Sequence, residues 1–475
     1  MPDHDVAIIG AGSAGLAVAA TAASLGLKVA LFERERMGGR RQNSGAIPSQ
    51  ALLAAAHRAA ALRREGPLGV RAEGVTVDWA AVRRHVQGSI ARIAPQDSEA
   101  HLRALGVTVV HASAHFVAPD RIEAAGRVHG FRRAVVAAGS APVVPDLPGM
   151  VGLPWLTLDT LFELEAPPAH LLVIGGSAEG VEMAQAHARL GCRVTLLEAG
   201  PTLLAREEPE LRLPLREQLR QDGVEILENS RVIALAPAAE GLAAVLESGA
   251  RIAASHLLFA LGRAPRLAPL DLVAAQVEAT AQGITTGADL RSPSNRRVWA
   301  AGSIADPEGL GPRYNAPLAG QHAAVVAPGL LFRRTARLDY AALPRFLGTA
   351  PELLQIGLTE AEARAAGHAP RILRQPFAEN GRAVAEGETE GMVKLVLDAQ
   401  GRLLGAGVLG QGAGEMAGML GLMISQGLPL DTLSRLALPS PTRSEAIRRA
   451  APPYHLPGPL SALARQAASL LARLP

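Results

Sequence analysis

The sequence predicts an α/β chain of several domains, and three observations carry that prediction. Two short apolar runs, at Asp5 to Ile9 and His170 to Ile174, each lead into a glycine-rich turn, a helix, a second apolar run and an acid. The length of 475 residues points to about three domains. A hydrophobic fraction of 48%, with glycine and proline spread along the chain, indicates ordered cores rather than disorder.

Composition excludes several function classes. The net charge is only +3, and lysine occurs only at Lys28 and Lys394, so arginine supplies most of the positive charge. No basic block is interleaved with aromatics, so no nucleic-acid partner is expected. Cys192 is the only cysteine, which rules out an intramolecular disulfide and any cysteine-based metal cluster; no metal site is expected. Its setting between a helix and a strand predicts a small buried residue. No apolar run reaches the ~18 residues of a bilayer span. The chain enters a strand by Val6, which leaves no room for a signal peptide, so the expected location is the cytoplasm.

The first apolar run reads as a buried parallel strand. Gly10-Ala-Gly12-Ser-Ala-Gly15 follows, then a small-residue helix to about Leu25, a strand from Lys28 to Phe32, and Glu33. Gly10 suits a tight turn, Gly12 lets backbone approach a pyrophosphate, and Gly15 lets the helix pack on the strand. The helix N-terminus then faces the phosphates, and Glu33 stands about 20 residues on, where a ribose-binding acid is expected.

The pattern recurs. After His170 to Ile174 come Gly175-Gly-Ser177-Ala-Glu-Gly180, a helix, the strand Arg193 to Leu197, and Glu198. Ser177 replaces the middle glycine, and its extra atoms are expected to crowd a pyrophosphate. Glu198 favours a free ribose 2′-hydroxyl over a 2′-phosphate, which argues for NAD(H) over NADP(H). The fold class is therefore α/β with two Rossmann-like dinucleotide-binding units.

Between these units lies Gly38-Gly39-Arg40-Arg41-Gln42-Asn43-Ser44-Gly45-Ala46-Ile47-Pro48-Ser49-Gln50-Ala51-Leu52-Leu53. It resembles the active-site segment of the FAD-dependent pyridine nucleotide–disulfide oxidoreductases, which include dihydrolipoamide dehydrogenase and mercuric reductase. That segment reads GGTCLNVGCIPSKALL. Arg41 and Ala46 stand at its two redox cysteines, and Gln50 stands at the lysine beside the flavin. A helical run is expected from Ala51 to Arg64. Further along, Ala137-Ala138-Gly139-Ser140 resembles the family's ATGS turn, and Pro142 to Pro148 is a proline-rich connector. Ala260-Leu-Gly262-Arg263 resembles the motif near the end of the NAD domain. Val298 to Gly302-Ser303 resembles the second FAD motif, with Ser303 at its usual aspartate, and a helix is expected over Asn315 to Ala327. Ser440-Pro-Thr-Arg-Ser-Glu445 resembles HPTxSE, with Ser440 at the histidine of the family's His–Glu pair.

The resemblance implies FAD and NAD(H) as cofactors and a homodimer. It divides the chain into a first FAD-binding part (1–148), an NAD-binding domain (149–268), a second FAD-binding part (269–338), an α+β dimerisation domain (339–455) and a tail (456–475). It places Gly10, Gly12, Gly15, Glu33, Gly38, Gly39, Gly139, Gly302 and Ser303 on FAD, and Gly175, Ser177, Gly180, Glu198 and Gly262 on NAD. The catalytic candidates are Gln50, Glu182 and Glu445. In relatives the acid at the Glu182 position pairs with the flavin-side lysine, a pairing Gln50 cannot reproduce. Without thiols the disulfide half of the family's cycle cannot run.

Three readings stay open. The first is NADH oxidation with electrons passed from flavin directly to an acceptor such as a quinone. The second is hydride exchange between nicotinamides. The third is a catalytically silent binding or scaffold subunit. The tail opens on Leu456-Pro-Gly-Pro459, and its Leu460, Leu463, Ala467, Leu470, Leu471 and Leu474 share one helical face. Packing against protein and peripheral contact with a membrane surface are both open for that face.

Overall fold

The computed structural model describes residues 2–64, 66, 68–307, 316–451, 466 and 469–473, with the side chains of 316 and 317 excepted. Most of the tail, with its expected helix, lies outside them. Two compact units form: residues 1–64, 71–205 and 219–338 make the first, and 65–70, 206–218 and 339–475 the second.

The first unit begins with β1 (His4–Ile9), α1 (Ser13–Ser24) and β2 (Val29–Glu33). The apolar residues of β1 are buried because the strand lies between two parallel neighbours, β2 and β6 (Arg127–Val136). β3 (Thr108–His111) extends the sheet beyond β2, and the strand Val298–Ala300 joins β6 in parallel. β4 (Ala114–Ala118) and β5 (Arg121–Ala124) form an antiparallel extension of β6. The spatial order β3-β2-β1-β6 reverses direction at β1. Such a switch point opens a crevice at the carboxyl ends of the strands, and the glycine loop stands there. The alanine-rich face of α1 lets it lie close on the sheet: a Cβ at Gly15 would fall 2.0 Å from the Gly10 carbonyl oxygen.

Next come α2 (Gly39–Asn43) and α3 (Ala46–Arg63). The helix expected from Ala51 starts five residues earlier, because Pro48 falls in its first turn, where a missing N–H costs nothing. A second, wholly parallel sheet has strands Val224–Leu227, Arg193–Leu197, His170–Ile174, His256–Phe259 and Trp155–Thr157, in that order. The helix Ala178–Arg189 follows its second glycine loop. The helix expected over Asn315 to Ala327 is found at Ala316–Phe332.

The second unit is a five-stranded antiparallel sheet, its strands in the order Pro344–Leu347, Leu353–Gly357, Leu403–Leu409, Met392–Leu397, Arg371–Pro376. Helices Ala417–Ser425 and Glu445–Ala450 share its apolar core. Residues 206–218, which fall inside the 149–268 range, group with this unit. The reason is an ion cluster: buried Lys394 lies 2.8 Å from Glu208, 2.7 Å from Glu210 and 2.9 Å from Glu360.

Among the described residues no helix is long and apolar enough to cross a membrane, and no group of three His, Cys, Asp or Glu is placed to hold a metal ion. In the tail, Leu470 and Leu471 are exposed.

Candidate active site

A cleft of about 400 Å³ opens at the switch point of the first sheet. Its floor is backbone, because glycine holds every close approach. A Cβ on Gly10, at φ +104°, would sit 2.4 Å from the Ala137 carbonyl oxygen. A Cβ on Gly39, at φ +59°, would sit 2.6 Å from the Gly12 Cα. The N-terminus of α1 carries no side-chain cap and no acid in its first turn, which leaves its N–H groups available to an anion. Glu33 closes one end: its carboxylate accepts from Ala11 N–H at 2.7 Å and Glu35 N–H at 2.8 Å.

Polar side chains crowd the other end. Arg263 is buried and donates to the Ser140 carbonyl at 2.8 Å and hydroxyl at 3.1 Å. Asp159 lies 3.4 Å from Arg263 and accepts from the Ser44 hydroxyl at 2.8 Å. Ser303 donates to Ser140 at 3.1 Å. Arg266 reaches Glu35 at 3.4 Å and Asp159 at 3.9 Å. Gly302 N–H donates to His322 Nδ1 at 3.0 Å; burial pushes that imidazole down to a pKa of about 4, so it is neutral and its Nδ1 is the acceptor. Buried polar atoms without a protein partner remain on Arg40 Nε and Arg266 Nε. Glycine cradle, open helix end and orphaned donors all suit an elongated anionic dinucleotide.

The second glycine loop resembles the first at its acid and differs at its helix. Glu198 accepts from Gly176 N–H at 2.7 Å and Gly200 N–H at 2.6 Å, as Glu33 does in its own loop. The helix Ala178–Arg189, however, is capped. Ser177 Oγ accepts from Gly180 N–H at 3.3 Å and donates to the Ala260 carbonyl at 2.8 Å, so its hydroxyl is turned into the turn. Glu179 adds a carboxylate to the first turn.

Residues 4–324 match the model for pyridine nucleotide-disulphide oxidoreductases, and residues 343–451 match the family's dimerisation domain. The chain belongs to the pyridine nucleotide-disulphide oxidoreductase family. It is 33% identical to mercuric reductase of Streptomyces lividans over 94% of this chain and 95% of that protein. It is 29% identical to dihydrolipoyl dehydrogenase of Geobacillus stearothermophilus over 94% and 96%. Among solved structures it is similar to the HOCl-induced flavoprotein disulfide reductase RclA from Escherichia coli, with 26% identity, a TM-score of 0.83, and 94% and 98% of the two chains covered. The family binds FAD and a nicotinamide dinucleotide, and the two glycine-loop folds are its dinucleotide-binding units.

This member of the family lacks the redox disulfide, since its single cysteine, Cys192, is buried and its thiol is pushed up to about 11 by that burial. The residues at the two cysteine positions, Arg41 and Ala46, both line the cleft, and Arg41 is exposed. Gly10, Gly12, Glu33, Gly39, Gly139, Gly302 and Ser303 line it as well. Gln50 does not: it is exposed on α3. Glu182 is buried in the helix Ala178–Arg189 and is not among the lining residues. Gly15 and Gly38 are not among the lining residues: Gly15 packs against the Gly10 carbonyl, and Gly38, at φ +87°, caps α2. In the second unit, Glu445 accepts from Thr442 N–H at 3.0 Å and lies 3.3 Å from Arg448. The Thr442 N–H, with help from the Ser440 hydroxyl, holds its carboxyl below the usual range. Glu445 is thereby an anion bound into its own turn, with the Ser440 hydroxyl as one of its hydrogen-bond partners.

Sequence reasoning missed Arg40, Ser44, Asp159, Glu179 and Arg266. Arg40 and Ser44 sit inside the segment that drew attention, at positions where the family pattern has Thr and Val. That departure was the available signal.

Proposed function

We propose that the chain is an FAD-dependent NADH oxidoreductase that passes electrons from flavin directly to a non-disulfide acceptor, a quinone or quinone-like compound. The observation that carries this reading is the pairing of an intact cofactor cleft with Arg41 and Ala46 in its wall, where relatives have their cysteines. FAD, when bound, supplies the two-electron relay between nicotinamide and acceptor. The chain's own residues do the rest. The uncapped α1 terminus and the Gly10–Gly12–Gly39 cradle hold the pyrophosphate, and Ser303 and Ser140 offer hydroxyls along the cleft. Arg41 and Ala46 leave no thiol in that wall, so electrons would leave the cofactor with no sulfur relay. Glu198, bound by two N–H groups, presents a fixed anion that selects the unphosphorylated ribose of NADH. The dimerisation domain supports a homodimer. The tail carries no part of this reading.

The test is an anaerobic absorbance spectrum of the purified protein before and after NADH, followed by admission of a short-chain quinone, NADP⁺ or lipoamide. A flavin band bleached by NADH and restored by quinone supports the reading. Restoration by NADP⁺ alone favours nicotinamide exchange. A protein without flavin, or one that NADH leaves unbleached, would falsify the enzyme reading and leave a binding subunit.

A further inference from the structure

Gln50 brings no charge to the cleft, yet the cleft does not lack cations. Arg40 follows Gly39 in α2 and lines the cleft, and its Nη2 forms an ion pair with Glu179. Glu179 lies one helical turn before Glu182 on the same helix, so the two acids stand on one face. Relatives pair a cation from the flavin segment with the acid at position 182. Here a cation of that same segment, Arg40, pairs with an acid of that same helix, Glu179.

Two further observations aim Arg40 at the cleft rather than at solvent. Its Nε is buried and has no hydrogen-bond partner. Its charge also reaches Arg263: after burial, the nearby Arg40 guanidinium is the largest influence lowering the Arg263 pKa. Arg40 therefore belongs to the same polar end as Arg263, Asp159, Ser140 and Ser303.

We propose that Arg40, fixed by Glu179, is the electrostatic positioning residue that takes over from the missing flavin-side lysine. Its guanidinium offsets the negative charge that builds up in the cleft when the cofactor accepts hydride. The ion pair with Glu179 holds it in place without leaving the cleft neutral, because six arginines line the cleft against four acids, or five with Glu179. This rests on the reading given under Proposed function. A guanidinium remains charged at any working pH, so the effect does not depend on proton uptake.

The test uses the purified holoprotein and the variants Arg40→Lys, Arg40→Gln and Arg40→Met, with Arg92→Met, on an exposed helix position, as the control for loss of one positive charge. Bound-flavin stoichiometry is measured first. The ratio of reduced to oxidised flavin is then read at equilibrium against a redox dye, under anaerobic conditions. Arg40→Gln and Arg40→Met are expected to lower that ratio by about tenfold, the order expected of one charge a few ångströms away at intermediate dielectric. Arg40→Lys and Arg92→Met stay within about threefold of the parent. Where Arg40→Met loses its flavin, the Lys and Gln variants decide. If they behave alike, charge is not the cause and the inference is overturned. Flavin present in all variants with an unchanged ratio overturns this inference alone. A parent protein with no flavin overturns the oxidoreductase reading and this inference with it.

Discussion

Lys394 Nζ lies 2.8 Å from a carboxylate oxygen of Glu208, and the two side chains are only 2% and 3% exposed. Removing one member of such a pair strands the other charge in a poor solvent. Lys394→Met is expected to cost about 3–5 kcal/mol of stability. Lys394→Met combined with Glu208→Leu should recover much of that loss, since Glu208 is the buried acid of the three, while Glu210 and Glu360 keep Arg374 and Arg364 as partners. Urea denaturation followed by circular dichroism checks both. A single variant as stable as the parent would show the cluster to be solvated.

The same cluster makes stability acid-sensitive. The Arg374 guanidinium, with Lys394 beside it, pulls the Glu210 carboxyl down from 4.5 to about 2. A carboxyl with a depressed folded pKa contributes fully above its unfolded value, and that contribution disappears as pH falls through the folded one. Stability should therefore decline between about pH 4.5 and pH 2. The decline should be shallower in Glu210→Gln. Thermal melts across that window test it, and parallel curves for the two proteins would contradict it.

Cys192 should behave as an inert side chain. Its thiol is buried and its pKa is about 11, so almost no thiolate exists at neutral pH. A chromogenic aromatic disulfide should label no thiol in the native protein and one per chain after denaturation. Cys192→Ala should keep every flavin and nicotinamide property of the parent. Rapid labelling of the folded protein would sink the expectation.

Gly39→Ala should remove the cofactor without unfolding the chain. The added methyl falls 2.6 Å from Gly12 Cα at a positive φ, so α2 must move away from the α1 terminus. The flavin-to-protein ratio after gel filtration should fall by about tenfold or more, with far-ultraviolet circular dichroism unchanged. Retention of stoichiometric flavin would show that the two glycines need not touch.

Glu198→Ala should relax nucleotide choice. The fixed anion of the second loop disappears, and the Gly176 and Gly200 N–H groups lose their acceptor. The NADH-over-NADPH preference in kcat/KM is expected to shrink by about tenfold. An unchanged ratio would move the discriminating group elsewhere.

Much of this architecture was legible because buried parallel strands are unbroken apolar runs. His170–Ile174 and Arg193–Leu197 begin and end where those runs do. Both glycine loops were legible too, since tight turns and close approaches admit few other residues. Three things were not. The attachment of 206–218 to the C-terminal sheet depends on Lys394, which is far away in sequence. The Arg40–Glu179 pair joins residues 139 positions apart, and no local pattern announces it. The solvent-facing orientation of Gln50 follows from the rotation of α3 after its start at Ala46, a boundary that periodicity placed late.

Cys192 also bears on where the molecule can work. A chain whose single sulfhydryl is walled in offers no handle to glutathione or a disulfide isomerase. Its thiol state is therefore the same in a reducing and in an oxidising compartment. Regulation through thiol exchange with the surroundings is thereby closed to the folded chain.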